Sequence, residues 1–265
     1  MRSKPRGIAL IINNEFFNRS TESTKREQEQ EKLDVRSGSN EDVKALEKLF
    51  GALDFKVKTE RNKGRVEMCK ILEDAAFDDH SNYDCFVLWL MSHGQDGQFY
   101  GADGETISIE TVRDFFSSKN CSTLKGKPKI IFIQACRGNQ KGKGVVADAP
   151  QSPTEQGQEP TTYDSEDHSD RGFNFNLSKV IAEHADILIA NSTISGYASF
   201  RNPRHGSRFV RCVVEVFQEF AGHEDLLSML TMVNQRISEM GEYGTKQVSE
   251  PSSTLTKKLF FWPGL

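Results

Sequence analysis

The sequence has no CxxC pair, no apolar run of membrane-spanning length, no excess of basic residues and no internal repeat. Each absence removes a class of function. Five scattered cysteines (69, 85, 121, 136 and 212), odd in number, suit neither a zinc ribbon nor a disulfide framework, and no metal or organic cofactor is implied. That usage fits a reducing compartment. The longest apolar run, CFVLWLM, cannot span a bilayer, and IALII is too short for the apolar stretch of a secretory leader, so a cytoplasmic protein is expected. A formal net charge of -4 offers no broad positive field, which argues against nucleic acid and membrane surfaces as partners. Proteins or small molecules are the expected partners. With 265 residues, 36% of them hydrophobic, the chain can bury a sizeable core without covalent staples.

Five near-continuous apolar segments read as strands: GIALIIN (7–13), FKVKT (55–59), DCFVLWLM (84–91), KIIFIQA (129–135) and DILIANS (186–192). Strands covered on both faces have this character. Between the first three lie helical patterns. One, NEDVKALEKLFGALD, sets Val43, Leu46, Leu49, Phe50 and Leu53 on one face, and the other, GRVEMCKILEDAAF, is expected to bury Val66, Cys69, Ile71 and Leu72. Two further helices are expected near 207–220 and 224–240, before a last apolar run, KKLFFW. Alternating strand and helix predicts an α/β fold with a mostly parallel central sheet and helices on both faces.

Two stretches break this order. Residues 18–40 are polar and charged, and residues 139–170 are rich in Gly, Pro, Ser and acidic groups with almost nothing to bury, as in functional loops or linkers. The second divides the chain into a larger N-terminal and a smaller C-terminal part.

In open α/β sheets ligands bind outside the carboxyl ends of the strands. Cys136 lies just past the end of one predicted strand and His93 just past another, so both can reach one edge. A thiol becomes a good nucleophile beside a base or a cation, and imidazole is the usual partner. Most cysteines are simply buried, and Cys85, Cys212 and Cys69, in apolar runs or on an apolar face, are assigned to the core on that ground.

Cys136 differs in its neighbours, which form QACRG (134–138). With KPRGIALIIN at the start, RSG at 36–38, SHG at 92–94, GYASFRN at 196–202 and the closing TKKLFF, the chain resembles the caspase family of cysteine proteases over nearly its whole length. His93 precedes Cys136 by 43 positions, the reverse of the papain order. The resemblance implies a caspase-like three-layer fold. It also implies that Cys136 attacks a peptide carbonyl as thiolate, that His93 protonates the leaving amine, and that backbone N–H groups of Gly94 and Cys136 hold the oxyanion. A backbone carbonyl near Asp34 would orient the imidazole.

By the same resemblance, Arg36, Gln134 and Arg201 form a basic pocket for an aspartate side chain, since guanidinium forks bind carboxylates through paired hydrogen bonds. Taken alone, Arg36 in a polar loop would read as a solvated charge. Ser199, Ala198, Phe200, Asn202 and Arg208 are implied to line the rest of the groove, with Ala198 and Arg208 standing where bulkier aromatics are common, so that the outer pockets should be wider. The implied organisation is a large catalytic subunit region (1–148), an intersubunit linker (149–170) removed by cleavage after Asp148 in VVAD and Asp170 in DHSD, and a small subunit region (171–265). Asp164 is a weaker candidate. Partners would be protein substrates with exposed Asp sites and a second copy in a homodimer of large/small subunit pairs, with the apolar KKLFFW run covered at the dimer interface. The function implied is an aspartate-specific endopeptidase of apoptotic signalling. Two alternatives have different signatures: a non-catalytic caspase-like regulator, which intact Cys136, His93, Arg36 and Arg201 argue against, and a Cys-His protease cleaving after basic residues, which would need carboxylates in the pocket.

Overall fold

The strand run GIALIIN lies second from one edge of a six-stranded sheet in the computed structural model, which describes residues 1–17, 33–144, 181–241 and 244–262. The elements in chain order are β1 (Gly7–Asn13), α1 (Ser39–Ala52), β2 (Lys56–Arg61), α2 (Arg65–Phe77), β3 (Cys85–Met91), β4 (Gly94–Gln95), β5 (Gln98–Tyr100), β6 (Thr106–Ser108), α3 (Ile109–Phe115), β7 (Lys129–Gln134), β8 (Ile187–Asn191), β9 (Arg201–Asn202), β10 (Gly206–Ser207), α4 (Arg208–Phe220), α5 (Leu226–Glu239) and β11 (Glu250–Ser253). The main sheet has the order β11-β8-β7-β3-β1-β2, parallel except for β11, which pairs antiparallel with β8. The C-terminal part of the chain therefore completes the sheet begun by the N-terminal part, and Met1–Gly144 with Ile181–Leu265 form one unit. Among the described residues no helix is long and apolar enough to cross a membrane.

Every residue of β1, β3, β7 and β8 is buried, because each strand has helices on both sides. Alternate side chains divide between two cores. Ala9, Ile11, Val87, Trp89, Phe132 and Leu188 meet α1, α4 and α5 on one face, and Ile8, Leu10, Phe86, Leu88, Ile131 and Ile187 meet α2 and α3 on the other. Trp89 stacks on Phe132 at 4.2 Å between ring centroids, and truncating it to alanine should cost about 3–5 kcal/mol.

Three expectations are corrected. β2 is an edge strand with alternating exposure, so its Lys56 and Lys58 face solvent. In α2 the buried residues are Met68, Leu72, Ala75 and Ala76, while Val66, in the first turn, is 77% exposed; the inward stripe starts two residues later than expected and shares only Leu72 with the expected set. KKLFFW is not a strand. Its Leu259 and Phe261 are buried in the chain's own core, where Phe261 meets Phe55 and Phe217, and Leu226 N–H bonds Leu259 O at 2.8 Å. The terminal edge strand is instead the polar Glu250–Ser253, exposed throughout.

β1 connects outward to β2, and the chain then crosses back to β3 on the other side of β1. Such a reversal leaves a crevice at the carboxyl ends of β1 and β3, where ligands bind in open α/β sheets. Asn13, His93 and Gln134 all lie at that end.

Candidate active site

His93 follows β3, and its Nε2 lies 2.7 Å from the carbonyl oxygen of Asp34. A carbonyl only accepts, so Nε2 carries the proton and Nδ1 is the basic nitrogen of the neutral ring. Phe17 packs on the imidazole at 4.9 Å. Burial lowers the His93 pKa below its ordinary value; the Asp34 hydrogen bond opposes this, and Arg36 and Arg201 add to it by repelling the imidazolium.

Cys136 follows β7 and is half-buried. Its Sγ accepts a hydrogen bond from Ser199 N–H at 3.4 Å and lies 3.8 Å from Ser199 O. The His93 and Cys136 turns are in direct contact through Gly94, where an added Cβ would stand 2.8 Å from Ala135 Cβ and 2.9 Å from Cys136 O. Only glycine allows that approach. Tyr100 N–H bonds His93 O, and the β4–β5 register then turns Gly94 N–H away from its hairpin partner. Cys136 N–H has no acceptor among the described residues.

Arg137 fastens these turns together. Its guanidinium pairs with Asp96 at 2.9 Å and with Glu250, and reaches Thr193 O at 3.4 Å, while Ser195 Oγ donates to the second oxygen of Asp96 at 2.6 Å. Hence the loops after β3, β7 and β8 and the start of β11 converge on one side chain.

Arg36 is fully buried at the end of β1. Its Nη1 donates to Asn13 Oδ1 at 3.0 Å and Asn14 O at 2.8 Å, but its Nε and Nη2 have no partner. Burial, then repulsion from Arg201, lowers its pKa to about 9. Arg201 on β9 donates from Nε to Ser37 O at 3.0 Å, and burial lowers its pKa too. Gly38, at φ 90°, lets the RSG turn sit against β9, since a Cβ there would come within 2.5 Å of Asn202 O. Gln134 is buried; its Nε2 donates to Ser199 Oγ at 2.8 Å while Oε1 has no donor. Two guanidinium groups thus repel each other here, offset in part by the acidic Asp42 and Glu15, while Arg36 Nε, Arg36 Nη2 and Gln134 Oε1 stay without partners.

The outer-groove residues divide. Ser199 touches both Cys136 and Gln134, and Ala198 is bonded through its N–H to Gln140 O at 2.8 Å. Asn202 turns its Oδ1 to the N–H groups of Arg204 and His205, a local cap in the β9–β10 turn. Phe200 carries the Arg208 guanidinium over its ring at 4.6 Å, and Arg208 reaches on to Thr245 O. Besides Asp96, Gln247 escaped the sequence reading. Gln247 is buried and uses its whole amide here, donating to Ser192 O at 2.6 Å and Ser199 Oγ at 3.3 Å and accepting from Phe200 N–H at 3.0 Å. It stands in a polar run that gives no signal of burial. Asp148, Asp164 and Asp170 lie outside the described residues.

The arrangement combines a thiol, a tautomer-fixed imidazole and a cationic pocket at a sheet switch point, and comparison with known proteins agrees with it. Residues 6–260 match the family model described as the caspase domain, and the chain belongs to the caspase family. It is 36% identical to caspase-8 of Mus musculus over 99% of this chain and 52% of that protein, and 31% identical to caspase-3 of Mesocricetus auratus over 97% and 84%. The crystal structure of caspase-1 from Spodoptera frugiperda superposes with a TM-score of 0.79 at 30% identity, covering 98% of this chain and 91% of that one. The chain spans about half the length of the caspase-8 relatives from Mus musculus and Rattus norvegicus.

Proposed function

We propose that this chain is an aspartate-specific cysteine endopeptidase. The observation that carries this reading is the buried Arg36 with Nε and Nη2 unpartnered beside Arg201 and the bare Oε1 of Gln134. Leaving buried donors of a charged group unmet is costly, so the pocket calls for an anion that reaches inside. A substrate carboxylate does this. Turning the Gln134 amide over would let Oε1 accept from the Ser199 hydroxyl and aim Nε2 at that carboxylate, at no change in shape.

With an aspartate so held, the peptide carbonyl that follows it is placed at Cys136. Nδ1 of His93 takes the thiol proton, and Sγ adds to the carbonyl carbon while the oxygen gains the electron pair and is met by N–H of Gly94 and Cys136. Collapse breaks the C–N bond, the imidazolium returns the proton to the leaving amine, and a thioester remains. Water, deprotonated by Nδ1, then attacks the thioester, and the acid product leaves with the thiol restored. Intact Cys136 and His93 set this reading above a non-catalytic regulator.

The organisation proposed with it is maturation by cleavage after Asp148 and Asp170 into a large (1–148) and a small (171–265) subunit, acting as a dimer of such pairs in apoptotic signalling. The test is a peptide panel differing only in the residue before the scissile bond: Asp, Asn, Glu or Arg. Cleavage confined to Asp is expected, and cleavage of the Asn or Arg peptide within tenfold of the Asp peptide overturns the assignment. Intact-mass measurement of active and Cys136→Ala protein should show the two cuts in the first only.

A further inference from the structure

Gln247 reaches the groove from the segment between α5 and β11, and main chain holds its buried amide at both ends. Oε1 accepts from Phe200 N–H at 3.0 Å, and Nε2 donates to Ser192 O at 2.6 Å. An amide so placed cannot be turned over, because an N–H would then oppose an N–H and an oxygen would oppose an oxygen away from water. The other hydrogen on Nε2 goes to Ser199 Oγ at 3.3 Å. Gln134 has no such anchor. Its Nε2 lies 2.8 Å from the same hydroxyl oxygen and its Oε1 meets no donor. With both amide nitrogens donating to Ser199, the hydroxyl proton finds no acceptor among the described residues. Turning over Gln134 alone removes both deficits, since Ser199 O–H then donates to Oε1 and each group from Gln247 to Gln134 is matched.

We infer that Gln247 is a specificity-determining positioning residue, which acts through the Ser199 hydroxyl to make Gln134 present its N–H groups, and not its carbonyl oxygen, to the substrate. This rests on the aspartate pocket proposed above. The direction of the hydrogen bonds carries the inference. Gln247 can only donate to Ser199 Oγ, so the Ser199 proton must point the other way and hold Gln134 Oε1 back from the substrate. Arg36 and Arg201 can only donate; of the three pocket side chains Gln134 alone could do either. A substrate aspartate accepts only, and it is met by Nε2. An asparagine of the same shape brings an N–H group of its own, which would meet a donor. A Gln134 amide left free to turn would offer Oε1 to that group and serve both side chains, whereas a fixed one leaves the asparagine N–H unpaired.

Two substitutions cut this relay at different points. Gln247→Glu keeps an acceptor for Phe200 N–H, and its carboxyl, buried beside Ser192 O, takes up a proton and donates it to that carbonyl, so no hydrogen remains for Ser199. Ser199→Ala removes the hydroxyl and keeps the N–H that bonds Cys136 Sγ. The parent, both single variants and the double variant are assayed for kcat/KM on matched peptides with Asp or Asn before the scissile bond. Mass spectrometry at micromolar enzyme counts slow cleavage of the Asn peptide, and urea melts verify folding. The Asp:Asn ratio should fall at least about fivefold in each single variant, and no further in the double variant, because both changes free the same amide. A residue that merely supported the loop would slow both peptides alike and would add its loss to that of Ser199→Ala. A smaller fall in either single variant, or a double variant whose ratio falls by the product of the two, overturns the relay and leaves the aspartate assignment standing. A parent that cuts the Asn peptide as readily as the Asp peptide overturns the assignment itself, and the relay with it. If Gln247→Glu does not fold, Ser199→Ala decides alone, and an unchanged ratio there overturns the relay.

Discussion

Two arginines in the groove are held in opposite ways. Arg36 is fully buried and keeps two nitrogens unpartnered, whereas Arg208 is half-exposed, lies over Phe200 and donates to Thr245 O. Under the proposed function the first is a charge held, at the folded state's expense, for a substrate carboxylate. The second has its needs met within the chain and acts as wall. Neither charge nor position in a groove tells these roles apart; the state of the hydrogen-bonding groups does. A buried guanidinium with unmet donors can be made favourable only by an incoming acceptor, while a stacked and bonded one gains little from it. Function and stability should therefore separate when the two residues are replaced.

Cys136→Ala comes first in size, since it removes the nucleophile of the proposed mechanism. Peptide cleavage should fall by at least about a thousandfold with the melting temperature unchanged. Steady-state assay on the aspartyl peptide decides it, and turnover within tenfold of the parent would sink the mechanism.

Next, Arg36→Ala should lower kcat/KM by roughly 2–4 kcal/mol, about thirtyfold to a thousandfold, because the aspartate carboxylate then enters a half-neutralised pocket. Stability should change by no more than about 1 kcal/mol, since loss of the Asn13 and Asn14 bonds is offset by relief of a buried, partly unmet charge. A substrate kinetics series with a parallel urea melt reads both. Unchanged kinetics would move the pocket elsewhere.

How much of this was legible beforehand follows the physics of each element. The strands β1, β3, β7 and β8 announce themselves because two-sided burial demands unbroken apolar runs. β11 does not: Glu250–Ser253 has no strand-like composition and pairs because β8 offers an open side. KKLFFW misleads for the converse reason, being apolar enough for a strand yet turned inward at Leu259 and Phe261. At the site, Cys136 and His93 were legible from their motifs and the strand-end rule. Gln247, Asp96 and the bonding of Ser199 were not, because hydrogen bonds between residues some 40 to 100 positions apart, or a polar residue's burial, leave no local pattern. The carbonyl near Asp34 was expected from the family alone, and the structure sets it 2.7 Å from the imidazole.

The acid limb of the pH profile tests the link between the arginines and His93. Burial and the two guanidinium groups lower the His93 pKa. The basic form of the imidazole does the work, so activity should persist below the ordinary histidine range and fall as pH drops through the lowered value. Arg201→Gln removes one repulsive charge from the imidazolium, which raises the His93 pKa. The acid limb of kcat/KM should accordingly move to higher pH by a few tenths of a unit or more. A limb that stays in place, or moves down, would mean that the two groups do not sense each other.

The smallest effect on activity is expected at Arg208, where the separation of roles runs the other way. Arg208→Ala removes a cation over an aromatic face, worth about 0.5–1 kcal/mol at a partly exposed site, and a hydrogen bond of about the same size to Thr245 O. Its guanidinium also fills the space that Gly241 leaves open, where a Cβ would come within 2.4 Å of Nη1, so Gly241 and Thr245 lose a support. Unfolding should thus become easier by about 1–2 kcal/mol, read as a lower urea midpoint. Cleavage of an aspartyl peptide should change by less than about threefold, because a stacked, bonded arginine has little attraction left to give a substrate side chain in water. Peptides with valine or aspartate four residues before the cut should then be handled alike by the parent. A tenfold preference for aspartate there, lost in Arg208→Ala, would show that this guanidinium is held for a ligand after all, and the distinction between the two arginines would fail.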